Sequence, residues 1–239
     1  MNILSIGNSF SGDAHRYLHA LAKHNGVNLR TVNLFIGGCS LQTHYWNMLD
    51  DRADYGYVFN GESTGLKVSI REALRSDSWN YITLQQVSNQ SPRSESFFPY
   101  IEELAAYVRK YCPHTKILLH ETWAYAEGSE RLTQAMGFAT AADMLSSIRD
   151  SYKKAAEVIG AHGIIPAGEA MLAAEEAGLS MHRDGSHASL GAGRYLLGLT
   201  WLKYLTGCDV SADTYNNFDV PVTDEERAIV TRVANEVTI

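Results

Sequence analysis

Asn2-Ile3-Leu4-Ser5-Ile6-Gly7-Asn8-Ser9-Phe10-Ser11 is the stretch from which the rest of the chain is read. Residues 2–6 form a short, largely apolar run that ends on a Gly-Asn-Ser turn. Beyond it, Ala14, Tyr17, Leu18 and Leu21 recur at helical spacing over 14–24, and Gly26 supplies the stop. The order is strand, tight turn, helix. A serine in such a turn stands exposed at a strand end, and the helix N-terminus beyond it favours negative charge. Taken alone, Ser9 or Ser11 reads equally well as an N-cap, a favoured role for serine.

The alternation continues along the chain. Residues 29–36, 79–86, 115–121 and 163–166 read as further strands, and the first of these stops at Gly37-Gly38. Helices are expected over 66–76, along the face Ile101, Leu104, Ala105, Val108 and Cys112, and along Leu145, Ile148, Tyr152, Ala155 and Ile159. Others follow over 168–177 and 190–205, and after the Thr223–Glu226 capping box. Residues 48–65, rich in Asp, Tyr, Gly and Asn, read as a long loop excursion. Strands alternating with helices predict a three-layer α/β/α domain over 1–239, a doubly wound parallel sheet of about five strands. Ligands of such sheets sit at the carboxyl ends of the strands, where the loops after residues 6, 36 and 86 converge.

Composition narrows the function. The chain has 239 residues, 45% hydrophobic and 20% charged, with a net charge of −7. It shows no basic stripe, so no nucleic-acid partner is expected and neutral substrates fit better. No apolar run is long enough for a bilayer and no leader segment is visible, which favours a cytoplasmic protein without a membrane partner; a trimmed secreted form is the open alternative. Cys39, Cys112 and Cys208 are odd in number, far apart and without metal-type spacing, so neither a disulfide framework nor a zinc site is expected. Nine histidines invite a metal, but none is paired as a metal helix requires. No cofactor is called for, and oligomeric state is not specified.

Histidine and acid come late. Arg183-Asp184-Gly185-Ser186-His187-Ala188-Ser189 places an acid three residues before a histidine, with Ser189 as N-cap of the next helix. Asp184 can orient His187 and stabilise its imidazolium; the alternative is an Asp-Gly turn with a surface histidine. Gly37-Gly38 is either a plain turn or a place where a backbone N–H approaches a ligand. Gln85, Gln86, Ser88 and Asn89 follow the third strand, where an amide either donates to a developing oxyanion or caps loop backbone. Trp123 and Tyr125, near His120 and Glu121, either wall a sugar or acyl pocket or are half-buried aromatics.

Together these residues resemble the SGNH (GDSL-like) hydrolase superfamily, whose four blocks carry Ser, Gly, Asn and His. Gly7 to Ser11 is similar to the first block, with Asn8 where the common motif has Asp; Gly38 resembles the second and Asp184-x-x-His187 the last. The third block departs from the usual Gly-x-Asn-Asp: Gln85-Gln86-Val87-Ser88-Asn89-Gln90 leaves either Asn89 or Gln86 for the oxyanion role. A branch of the superfamily known as a domain of unknown function is more similar still. It shares the GNSFS opening, Gly37 to Leu41 with His44, Leu84 to Ser88, Thr122 to Tyr125 and Asp184 to His187. The resemblance covers residues 2 to about 205 and implies a flavodoxin-like fold and ester hydrolysis, with carbohydrate deacetylation frequent among relatives.

The expected mechanism has Ser9 attacking an ester carbonyl while His187, held by Asp184, takes its proton. The oxyanion rests on the Ser9 and Gly38 N–H groups and an amide of Gln86 or Asn89, with Gln85, Trp123 and Tyr125 around the substrate. The alternatives are a thioesterase or lipase on the same triad, and a catalytically silent carbohydrate-binding protein.

Overall fold

The computed structural model describes residues 1–237. Five strands run parallel: β1 (Asn2–Gly7), β2 (Arg30–Phe35), β5 (Tyr81–Leu84), β6 (Lys116–His120) and β7 (Gly163–Ile165). Two more, β3 (Tyr55–Phe59) and β4 (Glu62–Val68), form an antiparallel hairpin on the edge of β2. The spatial order is β4-β3-β2-β1-β5-β6-β7, so the parallel strands follow the flavodoxin-like pattern. In register, Gly7 lies opposite Phe35, Ile6 opposite Leu84, and Leu84 opposite Leu119. The loops leaving these strands therefore emerge at one level on one edge of the sheet.

The sheet has seven strands rather than about five, because the excursion at 48–65 is not a loop. It holds the end of helix α3 (Leu41–Leu49), all of β3 and the start of β4, which runs on to Val68. Nearly every residue of β4 is exposed, so it lacks the alternation that marks a half-buried strand. The helix expected over 14–24 is two, α1 (Ser9–His15) and α2 (Leu18–His24), and α1 starts at Ser9 itself. The helix at 66–76 is shorter, α4 (Ile70–Arg75), capped reciprocally by Ser69 and Glu72.

The other helices are α5 (Tyr100–Tyr111), α6 (Ala141–Ile159), α7 (Ala167–Glu176), α8 (Ala192–Thr206) and α9 (Asp224–Glu236), the last with the Thr223–Glu226 box in place. Helices α1 and α2 pack with α8, while α3 and α4 pack with α5, and α5 with α6, giving a layer on each side of the sheet. In α5 the buried side chains are those of the predicted stripe from Ile101 to Val108; α8 is buried nearly all round, as befits a helix apolar on every side. The buried apolar residues form one continuous cluster. No helix among the described residues is long and apolar enough to cross a membrane.

Candidate active site

The site begins where β1 meets α1. A Cβ on Gly7 would lie 2.3 Å from Ser11 Oγ and 2.8 Å from Gln85 Oε1, so only glycine lets the turn close this tightly. The N-cap is Asn8, not a serine: its Oδ1 accepts from the Phe10 N–H at 3.1 Å. The same oxygen accepts from Gln85 Nε2 (3.2 Å), and Asn8 Nδ2 donates to the Cys39 carbonyl (3.0 Å). One buried amide thus ties the Ser9 turn to the loops after β2 and β5. An aspartate here could not donate to Cys39, which gives the departure from the common motif a structural sense. Ser9 occupies the first helical position, with its hydroxyl free of capping.

The histidine arrives from the far end of the chain. His182 and Ala188 form an antiparallel bridge and the Arg183 N–H donates to the His187 carbonyl, so residues 182–188 fold back as a tight loop. Gly185 sits at φ +77°, the left-handed conformation this turn requires. Asp184 Oδ1 accepts from the N–H of Ser186 (3.1 Å) and of His187 (2.8 Å) and from the Ser186 hydroxyl (3.0 Å). A second clamp, unmarked in the sequence, joins this loop to α1. Arg183 Nη1 donates to both oxygens of the buried Asp13 at 3.0 and 2.9 Å, and Arg194 Nε reaches the same carboxylate at 2.9 Å. Ser189 does not cap α8 at its first residue, since the helix starts at Ala192, but its hydroxyl accepts from the Gly193 N–H at 2.8 Å.

These supports bring three side chains into line. His187 Nδ1 lies 2.7 Å from Asp184 Oδ2, and His187 Nε2 lies 2.9 Å from Ser9 Oγ. The consistent tautomer has Nδ1–H donating to the carboxylate and Nε2 accepting the serine proton. Burial opposes ionisation of Asp184, but the hydrogen bonds from His187 and Ser186 outweigh it and hold the carboxyl well below the usual carboxylate range. Such a relay can deprotonate a hydroxyl for attack on a carbonyl.

Around it lies a cavity of about 490 Å³, whose wall includes Asn8, Ser9, Phe10, Gly38, Ser88, Asn89, Tyr125 and His187. The Ser9 and Gly38 backbone N–H groups have no hydrogen-bond partner among the described residues and can face an oxyanion. Asn89 is exposed at this wall, and its amide has no hydrogen-bond partner among the described residues. Gln86 is not available for that role. Its Nε2 donates to the Ser96 carbonyl (2.9 Å) and hydroxyl (3.1 Å), and its Oε1 accepts from the Leu41 and Val87 N–H groups. It is buried and staples loops behind the cavity.

Two other expectations are corrected. Gln85, expected to touch substrate, is buried and spends its amide on Asn8. Trp123, expected as a cavity wall, is fully buried because the chain turns inward after β6. Its ring stacks on Phe10 with centroids 4.0 Å apart, and its Nε1 donates to the Ser186 carbonyl at 2.8 Å. It therefore props both the Ser9 helix and the His187 loop. Tyr125 does line the cavity, with its hydroxyl 3.0 Å from Ser88 Oγ. His120 is fully buried, and burial lowers its pKa to about 3; Glu121 is buried too and accepts from the Gly168 N–H at 3.1 Å. The Trp123 prop and the Asp13 clamp join residues 63 and 170 positions apart, so no local pattern could have disclosed them.

Comparison with known proteins agrees with this architecture. The family model described as domain of unknown function (DUF4886) matches residues 2–236. No curated protein matches the chain. The crystal structure of a DUF4886 family protein from Bacteroides uniformis is 34% identical, covering 98% of this chain and 93% of its own, with a TM-score of 0.91. The fold is shared more distantly with Axe2, an acetylxylan esterase from Geobacillus stearothermophilus, at 17% identity, 86% and 94% coverage and a TM-score of 0.55. It is shared as well with a GDSL-like lipase from Bacteroides thetaiotaomicron, at 14% identity, 86% and 88% coverage and a TM-score of 0.53.

Proposed function

We propose that this chain, which belongs to the DUF4886 family, is a serine esterase of the SGNH type that removes O-acetyl or other short acyl groups from a carbohydrate. The observation that carries the reading is the unbroken relay from Asp184 through His187 to Ser9, opening into a cavity beside unpaired N–H groups. A fold shared with an acetylxylan esterase and a GDSL-like lipase supports it.

In this reaction Ser9 Oγ forms a bond to the ester carbonyl carbon as its proton passes to His187 Nε2. Negative charge gathers on the carbonyl oxygen, facing the Ser9 and Gly38 N–H groups and the Asn89 amide. The carbon–oxygen bond to the alcohol then breaks, and the alcohol takes the proton from His187. Water, deprotonated by the same imidazole, releases the acyl group and restores Ser9. Asp184 stays ionised and holds the ring throughout.

The test is labelling with a fluorophosphonate together with hydrolysis of p-nitrophenyl acetate. The wild type should label and turn over, and Ser9→Ala should lose the label and about 10³-fold or more in rate. A Ser9→Ala variant keeping more than a tenth of the wild-type rate would overturn the assignment.

A further inference from the structure

Most arginines of this chain are neutralised or hydrogen-bonded: Arg183 and Arg194 share Asp13, Arg149 pairs with Glu169, and Arg227 meets a backbone carbonyl. The side chains of Arg75, Arg93 and Arg131 have no ion-pair or hydrogen-bond partner among the described residues. Two of these three, Arg93 and Arg131, line the cavity that holds Ser9 and His187. They come from different loops: Arg93 follows β5, and Arg131 opens a π-helical turn, Arg131–Ala135, in the loop after β6. Among the described residues, no aspartate or glutamate lines that cavity. A protein of net charge −7 thus presents, at its reactive serine, a wall with two guanidinium groups that no carboxylate pairs among the described residues. A ligand meets this local field and not the total charge, so net charge alone does not call for a neutral substrate.

Unpaired arginines are costly to gather, since like charges repel, and their planar forks match carboxylate or phosphate oxygens. We infer that Arg93 and Arg131 select an ester that also carries an anionic group, a carboxylate or a phosphate, held on this wall while Ser9 attacks. The inference rests on the esterase reading and adds the charge of its substrate. Both side chains are exposed and have no hydrogen-bond or ion-pair partner among the described residues, so changing them removes no such contact of the fold.

The experiment compares three acetylated sugars matched but for charge: O-acetyl galactose, O-acetyl galacturonate and O-acetyl galactose 6-phosphate. The readout is the ratio of kcat/KM for each anionic ester to that for the neutral one, in wild type, Arg93→Gln, Arg131→Gln and the double variant. The wild-type ratio should exceed about tenfold for at least one anion at low salt and shrink as salt screens the charges. Each single variant should lower it about fivefold. Which anion is preferred decides between carboxylate and phosphate. A wild-type ratio near one for both anions, or a ratio unchanged in the double variant, would overturn the inference even with the esterase intact. If no ester is turned over, calorimetric titration with galacturonate and with galactose 6-phosphate decides instead. Binding that weakens in the double variant upholds the anion site, and equal or absent binding overturns it.

Discussion

Trp123→Phe isolates what a buried indole does for a reaction it never touches. The substitution removes the Nε1–H that reaches the Ser186 carbonyl at 2.8 Å and keeps an aromatic ring against Phe10. Ser186 is 2% exposed, so no solvent replaces the lost donor. A buried acceptor left unpaired costs about 1–3 kcal/mol. In a chain of this size 1 kcal/mol moves Tm by about 2–4 °C, so a fall of roughly 3–10 °C is expected. The kinetic effect arises because Ser186 lies between Asp184 and His187. Releasing its carbonyl frees the imidazole to drift from Ser9, and a 1 Å misplacement can cost about 10²-fold. We therefore expect kcat on p-nitrophenyl acetate to fall by about ten- to a hundredfold with KM nearly unchanged. Steady-state kinetics and thermal unfolding of the same preparation read both effects. A lower Tm with wild-type kcat would reduce Trp123 to a core residue. A raised KM with kcat intact would make it the cavity wall that its sequence position suggested.

The two amides of the third block should separate in the same assay: Asn89→Ala should lower kcat by about 10²–10³-fold, as expected for an oxyanion donor. Gln86→Ala should instead lower Tm, because it strands the Leu41 and Val87 N–H groups, and the reverse ranking would restore Gln86 to the oxyanion. Asp184→Asn should cut kcat by about 10⁴-fold, since an amide can favour the wrong imidazole tautomer; wild-type rates would leave Asp184 a turn residue. Glu121 gives a pH signature in stability. Burial, reinforced by Glu169, raises its pKa from 4.5 to about 8, so the folded state holds a proton that the unfolded state has released between these values. Wild-type stability should accordingly fall, relative to Glu121→Gln, as pH rises from about 4.5 to about 8, by a total on the order of a few kcal/mol. Parallel stability–pH curves from chemical unfolding would show that Glu121 is ionised in the fold.

Sequence periodicity was most informative where one element answers to one burial pattern. The parallel strands, the α5 stripe and the Thr223–Glu226 box were all legible because each depends on residues a few positions apart. The β3–β4 hairpin was not, since an edge strand exposed along its length carries no apolar alternation. The same division runs through the site. Ser9, Gly38, Asp184 and His187 stood out because a tight turn, a glycine pair and a three-residue spacing are local features.

Tertiary structure alone decided what meets what. Gln85, Gln86 and Asn89 are neighbours in sequence with nearly the same chemistry, yet one braces Asn8, one staples a loop and one faces the cavity. Trp123 and Tyr125 stand two residues apart, and only the second reaches the cavity. The physical reason is that a residue type specifies which hydrogen bonds and contacts a side chain can make, while its partner is specified by the packing of segments far apart in the chain. The relay shows both halves. The chemistry of Ser9 and His187 is written in their residue types, but the 2.9 Å between them spans 178 residues and depends on long-range contacts such as those of Asp13 and Trp123, which tie helix and loop together.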